Sequence, residues 1–253
     1  TEGQMIPTRW VRMAQERGTS LPPDGIPMCA IGVDASGGGD DPMILAIRHD
    51  GWYDNMIEVP GKSIPIERAG KFCAGIITSY RRDGAGIIID MGGGYGSSTY
   101  EQLKANNIDV AMFKGSFASV RRTSDHQYGF ANLITEAYWR FHEALDPSQP
   151  GGSPIMLPED SLLVADLTAH TFEERNKVLS KEAKEKVNER LGRSTDRGDA
   201  VVMAWHYGAR YVTHGRIWGE EYKRRGGGRG EHGLGGDRYQ RTAVHSKQRE
   251  ARR

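Results

Sequence analysis

The sequence predicts an α/β fold: a mixed sheet that opens as an antiparallel three-strand meander, continues with parallel strands and carries helices on both faces. Three observations predict it. Short apolar runs bounded by turn residues follow one another between residues 28 and 58. From residue 65 onward, stretches with helical apolar spacing alternate with further short apolar runs. The chain then closes its apolar part with two helical stretches and no further strong strand signal.

Residues 1–27 hold a short helical pattern, 8–17, preceded by Pro7 and followed by a Pro- and Gly-rich connector; they read as a lead-in or linker. Strands are expected over 28–35, 43–49 and 52–58, with Asp50-Gly51 as the hairpin turn between the second and third. Ile66, Ala69, Phe72, Cys73, Ile76 and Ile77 keep helical spacing and predict a helix over 65–82. A fourth strand spans 86–90, a helix 98–106 and a fifth strand 108–113. Ile134, Ala137, Tyr138, Phe141 and Leu145 share one face of a helix placed over 127–145, with Pro147 beyond its end. The apolar run 162–167 fits either type of element. A hairpin turning at Arg175-Asn176 is expected over 170–180, a charged helix over 181–191 ended by Gly192, and a last helix over 196–211. The first and fourth strands should be central neighbours, since only then do the residues at their ends meet.

The length suits one domain with appendages and ample core. The two cysteines, Cys29 and Cys73, lie in apolar contexts and read as buried thiols, with neither a disulfide framework nor a zinc site. No apolar run approaches the length of a membrane-spanning helix, and no secretory signal is visible, which fits a reducing cytoplasm. The first residue is Thr1 and not Met, as expected of a piece of a longer protein. The net charge of +1 hides an asymmetry: residues 219–253 hold ten Lys/Arg against five acids, a tail of +5 beside a body of −4. A basic, Gly-rich tail suits contact with a polyanion, and equally a solvated flexible end.

Chemistry concentrates at three aspartates. Asp34 ends the run Cys29-Ala-Ile-Gly-Val-Asp34, Asp90 ends Ile87-Ile-Ile-Asp90, and Asp199 enters the apolar run 200–205. One Asp after a strand is ordinarily a turn residue or a helix N-cap. Here two of the three are followed at once by glycine-rich stretches, Ala-Ser-Gly-Gly-Gly-Asp40-Asp41 and Met-Gly-Gly-Gly-Tyr-Gly96, where backbone can turn sharply or let a ligand approach. Converging carboxylates need neutralising, and oxygen-only donors favour Mg²⁺ or Mn²⁺ over Zn²⁺. Two such ions about 4 Å apart would activate a water and stabilise a departing oxygen, with Asp34 bridging both, Asp90 on one side and Asp199 on the other. Asp196, three residues before Asp199, is a further ligand candidate or an N-cap; Asp40 is a candidate reaching back from its loop, or a plain turn residue.

These residues resemble a known family. Gly32-Val-Asp34-Ala-Ser-Gly-Gly-Gly-Asp40 resembles the first nuclease motif of bacteriophage terminase large subunits, and Ile89-Asp90-Met-Gly-Gly-Gly-Tyr-Gly96 the second. Ser180-Lys181-Glu182 followed by Arg190-Leu-Gly-Arg-Ser-Thr-Asp196-Arg-Gly-Asp199 resembles the third, with Thr195 at the position of the family's Pro. Residues 128–139 are similar to the family's Asn- and Glu-bearing helix, and residues 2–17 to the segment that joins motor and nuclease. The resemblance covers residues 1–212. It implies a ribonuclease-H-like nuclease domain over 28–212, behind a lead-in of 1–27 from an ATPase motor domain and ahead of a basic, flexible tail over 213–253. It also implies a metal-dependent endonuclease acting on concatemeric double-stranded DNA in the cytoplasm of an infected bacterium. The implied partners are the motor domain of the same polypeptide, the portal protein of the procapsid and the small terminase subunit. No phosphate-cradling Gly-x-x-x-x-Gly-Lys-Ser/Thr motif occurs, so motor activity is not expected of these residues.

DNA would be held through its phosphates, and the candidates are Arg121, Arg122, Lys181, Lys184, Arg190 and Arg193; a charged helix over 181–193 is also an ordinary solvated face. No base-reading motif is visible, so little sequence preference is expected. Three other readings remain open: an actin-like or sugar-kinase-like phosphotransferase, for which Asp90-Met-Gly-Gly-Gly would hold nucleotide phosphate; a junction resolvase or integrase; and a non-catalytic DNA- or portal-binding module.

Overall fold

The computed structural model describes residues 3–208, so the basic tail lies outside the described residues; the last helix ends at His206, with Tyr207 extended, short of the expected 211. The main sheet contains β1 (Ala30–Asp34), β2 (Met43–His49), β3 (Trp52–Tyr53), β4 (Ile57–Val59), β5 (Gly86–Asp90) and β6 (Val110–Phe113). Its order is β3-β2-β1-β5-β6, with β4 also on β2. The meander is antiparallel, and β1–β5 and β5–β6 are parallel, so the first and fourth long strands are central neighbours. The expected third strand splits in two. Asp54 and Asn55 leave the ladder, where the Asp54 side chain accepts from the Asn55 N–H at 2.8 Å.

Period-two alternation places a core on each face. Ile31, Val33, Leu45, Ile47, Ile87 and Ile89 pack under α2 (Ala69–Tyr80) and α3 (Gly96–Ala105). Ala30, Ile44, Ala46, Ile88, Ala111 and Phe113 pack on the other side. That side is covered by α1 (Thr8–Glu16), α4 (Leu133–Leu145), α5 (Ser161–Thr168) and α7 (Asp196–His206), the last being buried from Gly198 to its end. Within the segment expected as a lead-in, Met5, Ile6, Val11 and Ala14 are part of this core. Both cysteines are buried thiols, as expected. Among the described residues no helix is long and apolar enough to cross a membrane.

Three further boundaries differ from the sequence expectation. The helix placed over 127–145 starts at Leu133, because Gly129 and Ala131 donate their N–H groups to Lys177 and Leu179 (2.9 Å each) and Asn132 then caps the helix at 3.1 Å from the Thr135 N–H. The ambiguous run is α5, capped by Asp160 on the Leu163 N–H at 3.0 Å. A second sheet, β7 (Gly129–Phe130), β8 (Phe172–Arg175) and β9 (Val178–Lys181), keeps Lys181 in a strand. The charged helix α6 therefore runs only over Lys184–Leu191, ending at Gly192 in the left-handed region as expected. The hairpin turns one residue later than expected, at Asn176 and Lys177, both at positive φ.

Candidate active site

Strand register sets the first two carboxylates. Val33 pairs with Ile89 in the parallel ladder, so Asp34 and Asp90, the next residues, leave neighbouring strands in the same direction. The Gly92 N–H donates to Asp90 Oδ1 at 2.8 Å inside a tight turn in which Gly93 takes φ +69°, a conformation natural to glycine.

Helix α7 delivers Asp196 and Asp199 from its first turn. Its seat on β1 depends on Gly32, where an added Cβ would stand 2.0 Å from the Ala200 carbonyl oxygen. Two acids anchor its start. Buried Asp166 on α5 accepts from the N–H groups of Arg197 and Gly198 at 3.0 and 3.1 Å, and Arg197 bridges Asp160 (2.8 Å) and Glu58. At the far end the fully buried Arg48 of β2 donates to the carbonyls of Ala204 (2.7 Å) and Tyr207 (2.8 Å), where a cation suits the helix dipole.

The result is a mouth where Asp34, Asp90 and Asp196 are partly exposed and Asp199 is buried. Burial, reinforced by Asp196 and Asp199, holds the Asp34 carboxyl well above the usual carboxylate range, and it shares a hydrogen bond with Asp196. Burial likewise raises Asp90, against the pull of its Gly92 hydrogen bond. Asp199 goes the other way. Burial works to raise it, but Lys184, Lys181 and the Tyr138 hydroxyl together hold it below its ordinary value. Lys184 Nζ lies 3.2 Å from Asp199 Oδ2; burial opposes its charge, yet Asp199 and Asp34 raise it above the ordinary lysine value. One ammonium thus stands among four carboxyl groups, too little positive charge for all to ionise cheaply.

That donor set fits a hard divalent cation: oxygen ligands only, with two carboxyls whose charge burial disfavours and a cation would stabilise. Among the described residues no three His, Cys, Asp or Glu side chains already converge in ligating geometry. Asp199 Oδ2 is engaged by Lys184 and by Thr195 Oγ1, 3.2 Å each.

Other candidate residues sit elsewhere. Asp40 is almost fully exposed and pairs with Lys62 at 3.3 Å; it is not among the groups that act most strongly on Asp34 or Asp90, so its position matches the turn-residue alternative. Of the cations expected on DNA, Arg193 pairs with buried Asp166 at 2.5 Å, Arg190 with Glu182 at 2.8 Å and Arg121 with buried Glu136 at 3.7 Å. Lys181 is drawn inward to His170, Lys184 stands in the acidic mouth, and Arg122 is exposed. The sequence reading missed Tyr138, His170 and Thr195 as neighbours of Asp199. The sequence puts Tyr138 on the core face of its helix, and the remaining signal is that a buried tyrosine hydroxyl needs a partner.

No protein-family profile matches the sequence, and no curated protein matches it. Among solved structures the chain is similar to the nuclease domain of the large terminase subunit gp2 of bacterial virus Sf6, with a TM-score of 0.61 and 21% identity, over 80% of this chain and 98% of that one. A mutant of that domain with manganese and beta-thujaplicinol gives a TM-score of 0.62 and 19% identity over the same shares. A mutant with calcium gives 0.60 and 21%. At these identities the likeness establishes the fold: the chain has the ribonuclease-H-like fold of the large-terminase nuclease domains.

Proposed function

We propose that the chain is the nuclease domain of a viral DNA-packaging terminase: a metal-dependent endonuclease that cuts concatemeric double-stranded DNA with little sequence preference. The observation that carries this reading is the meeting of Asp34, Asp90, Asp196 and Asp199 at one mouth of that fold. The manganese and calcium in the similar structures support a divalent ion. Asp34, Asp90 and Asp199, with Asp196 beside them, would hold two ions, Mg²⁺ or Mn²⁺. Such ions supply an activated water and neutralise the charge on the departing 3′-oxygen. Tyr138 and Thr195 orient Asp199 by hydrogen bonds to opposite oxygens. Lys184 offsets part of the charge of these acids. Arg122 and the cations of residues 213–253 are the candidate contacts to phosphate. In this setting the partners are an ATPase motor domain, a portal protein and a small terminase subunit, at the procapsid in the host cytoplasm.

Plasmid nicking with Mn²⁺, Mg²⁺ or EDTA tests the reading. Wild type should cut with metal and stop with EDTA, and Asp34→Ala should lose cutting by at least 100-fold, roughly the scale of removing one transition-state charge stabiliser. Asp90→Asn and Asp199→Asn should each do the same. Retained cutting in Asp34→Ala would sink the site; ATP binding by wild type without any cutting would favour a phosphotransferase.

A further inference from the structure

Behind Asp199 runs a line of polar groups in an otherwise apolar interior. Lys181 Nζ lies 2.9 Å from His170 Nδ1, His170 Nε2 lies 3.0 Å from the Tyr138 hydroxyl, and that hydroxyl lies 2.6 Å from Asp199 Oδ1. Tyr138 and His170 are fully buried and meet edge to face at 4.5 Å, and Lys181 Nζ sits 4.9 Å from the Tyr138 ring centre. The groups come from four elements or connections: β9, the α5–β8 loop, α4 and α7. Nothing in core packing requires so much polar chemistry there, because buried polar groups are costly unless fully paired.

With Lys181 charged, the donors and acceptors along this line can be arranged in one way only. An ammonium has hydrogens to give and no lone pair to receive with. His170 Nδ1 must therefore accept, which leaves the ring neutral with its hydrogen on Nε2. Nε2–H then donates to the Tyr138 oxygen, and the Tyr138 hydrogen is free only for Asp199 Oδ1. Burial pushes His170 down to about 3, helped by Lys181, which agrees with a neutral ring. Burial lowers Lys181 to about 8, which leaves it charged at neutral pH.

We propose that Lys181, His170 and Tyr138 form a one-way hydrogen-bond relay that positions the Asp199 carboxylate. It fixes Oδ1 as an acceptor inside the protein and turns Oδ2 toward Lys184 and the mouth. His170 is a positioning residue, acting through Tyr138 and never touching the reacting atoms. The relay's geometry stands by itself; its consequence for metal rests on the nuclease reading. Partners behind a metal ligand commonly change affinity by about 10–100-fold when removed.

Two measurements on the whole chain separate these levels. Ring ¹⁵N shifts of His170, assigned among the eight histidines by comparison with His170→Gln, report its tautomer. The relay expects a neutral ring with hydrogen on Nε2; hydrogen on Nδ1, or a charged ring at neutral pH, overturns it whatever the protein does to DNA. Calorimetric Mn²⁺ titration reports the consequence. His170→Leu should bind Mn²⁺ about 10–100-fold more weakly. His170→Gln, whose amide N–H can reach Tyr138 in the same place, should recover most of that loss, which a merely space-filling role would not predict. Should His170→Leu fail to fold, Tyr138→Phe keeps the ring packed and carries the same expectation. A folded His170→Leu or Tyr138→Phe with wild-type Mn²⁺ affinity overturns the positioning role. An Nε2–H tautomer in a wild type that neither binds Mn²⁺ nor nicks DNA leaves the relay's polarity standing and removes both the nuclease reading and the positioning of metal.

Discussion

At the scale of single residues, the carboxylates of the mouth pull in opposite directions. The folded protein binds the protons of Asp34 and Asp90 more tightly than the unfolded chain does, because burial and neighbouring acids disfavour their charge. Both therefore cost stability as pH rises from about 4, the unfolded value, through their raised folded values. Asp199 has the reverse sign: its contribution is present above the unfolded value and is lost as pH falls through its lowered folded value. Asp34→Asn keeps the shape and removes the charge. It should melt higher than wild type at neutral pH, by about 2–4 °C for each kcal/mol relieved, and the gap should narrow as pH approaches 4. Millimolar Mn²⁺ should raise the melting temperature of wild type and leave Asp34→Asn unmoved. Thermal scans across pH, with and without Mn²⁺, check both; a variant that melts lower at neutral pH would mean Asp34 carries its charge without penalty. None of this was legible in the sequence, where Asp34 and Asp90 could be picked out by their glycine neighbours and Asp199 by the apolar run it enters, but the sign of each shift depends on who stands opposite. Lys184 shows why: as one of many cations on a charged segment it looked like a DNA contact, and only the fold turns it toward Asp199.

At the scale of elements, the site depends on how closely α7 lies on β1. The contact at Gly32 leaves no room for a methyl group against the Ala200 carbonyl, and backbone cannot yield as a flexible side chain does. Gly32→Ala should therefore destabilise the fold by about 1–3 kcal/mol, the usual range for forcing extra volume into a packed interior. It should also weaken metal binding, since displacing α7 separates Asp199 from Asp34. Urea denaturation and Mn²⁺ titration check the two effects, and an unchanged midpoint would mean α7 is free to shift. The β8–β9 turn offers the opposite case. Asn176 and Lys177 both take positive φ, 53° and 58°, as a two-residue hairpin of the primed type requires. Lysine is ill suited to that conformation, so Lys177→Gly should stabilise the protein by about 1 kcal/mol. A lower urea midpoint would show that the lysine side chain contributes more than its backbone costs. The hairpin was legible from its sequence, but the β7 pairing that shortens α4 was not: Gly129 and Phe130 continue a helical pattern, and only the partner β9, far along the chain, decides that they are a strand.

At the scale of the whole molecule, the sheet order was legible for a physical reason. Two apolar strands ending in Asp must lie side by side if their carboxylates are to meet, which selects β1 beside β5 from the possible orders. The period-two runs then assign each core to its face. The sequence did not show which cations the fold would consume. Arg190, Arg193, Arg121 and Lys184 are paired with acids of the protein, and Lys181 is turned inward, so five of the six expected DNA contacts have partners at home. In the proposed reading that shifts the weight of phosphate binding toward the tail, where ten Lys/Arg face five acids, while the rest of the chain carries −4. Removing residues 213–253 should therefore weaken duplex binding and flatten its salt dependence, because each cation that neutralises a phosphate adds about 0.9 to the slope of log affinity against log salt. The comparison is a titration of the whole chain and the shortened one with the same DNA at several salt concentrations, with melting temperature as the control for folding. A shallower slope in the shortened chain assigns the missing contacts to the tail. An unchanged slope would return DNA binding to the exposed Arg122 and to Lys184 at the mouth, and the Arg122→Ala variant would then have to carry the loss.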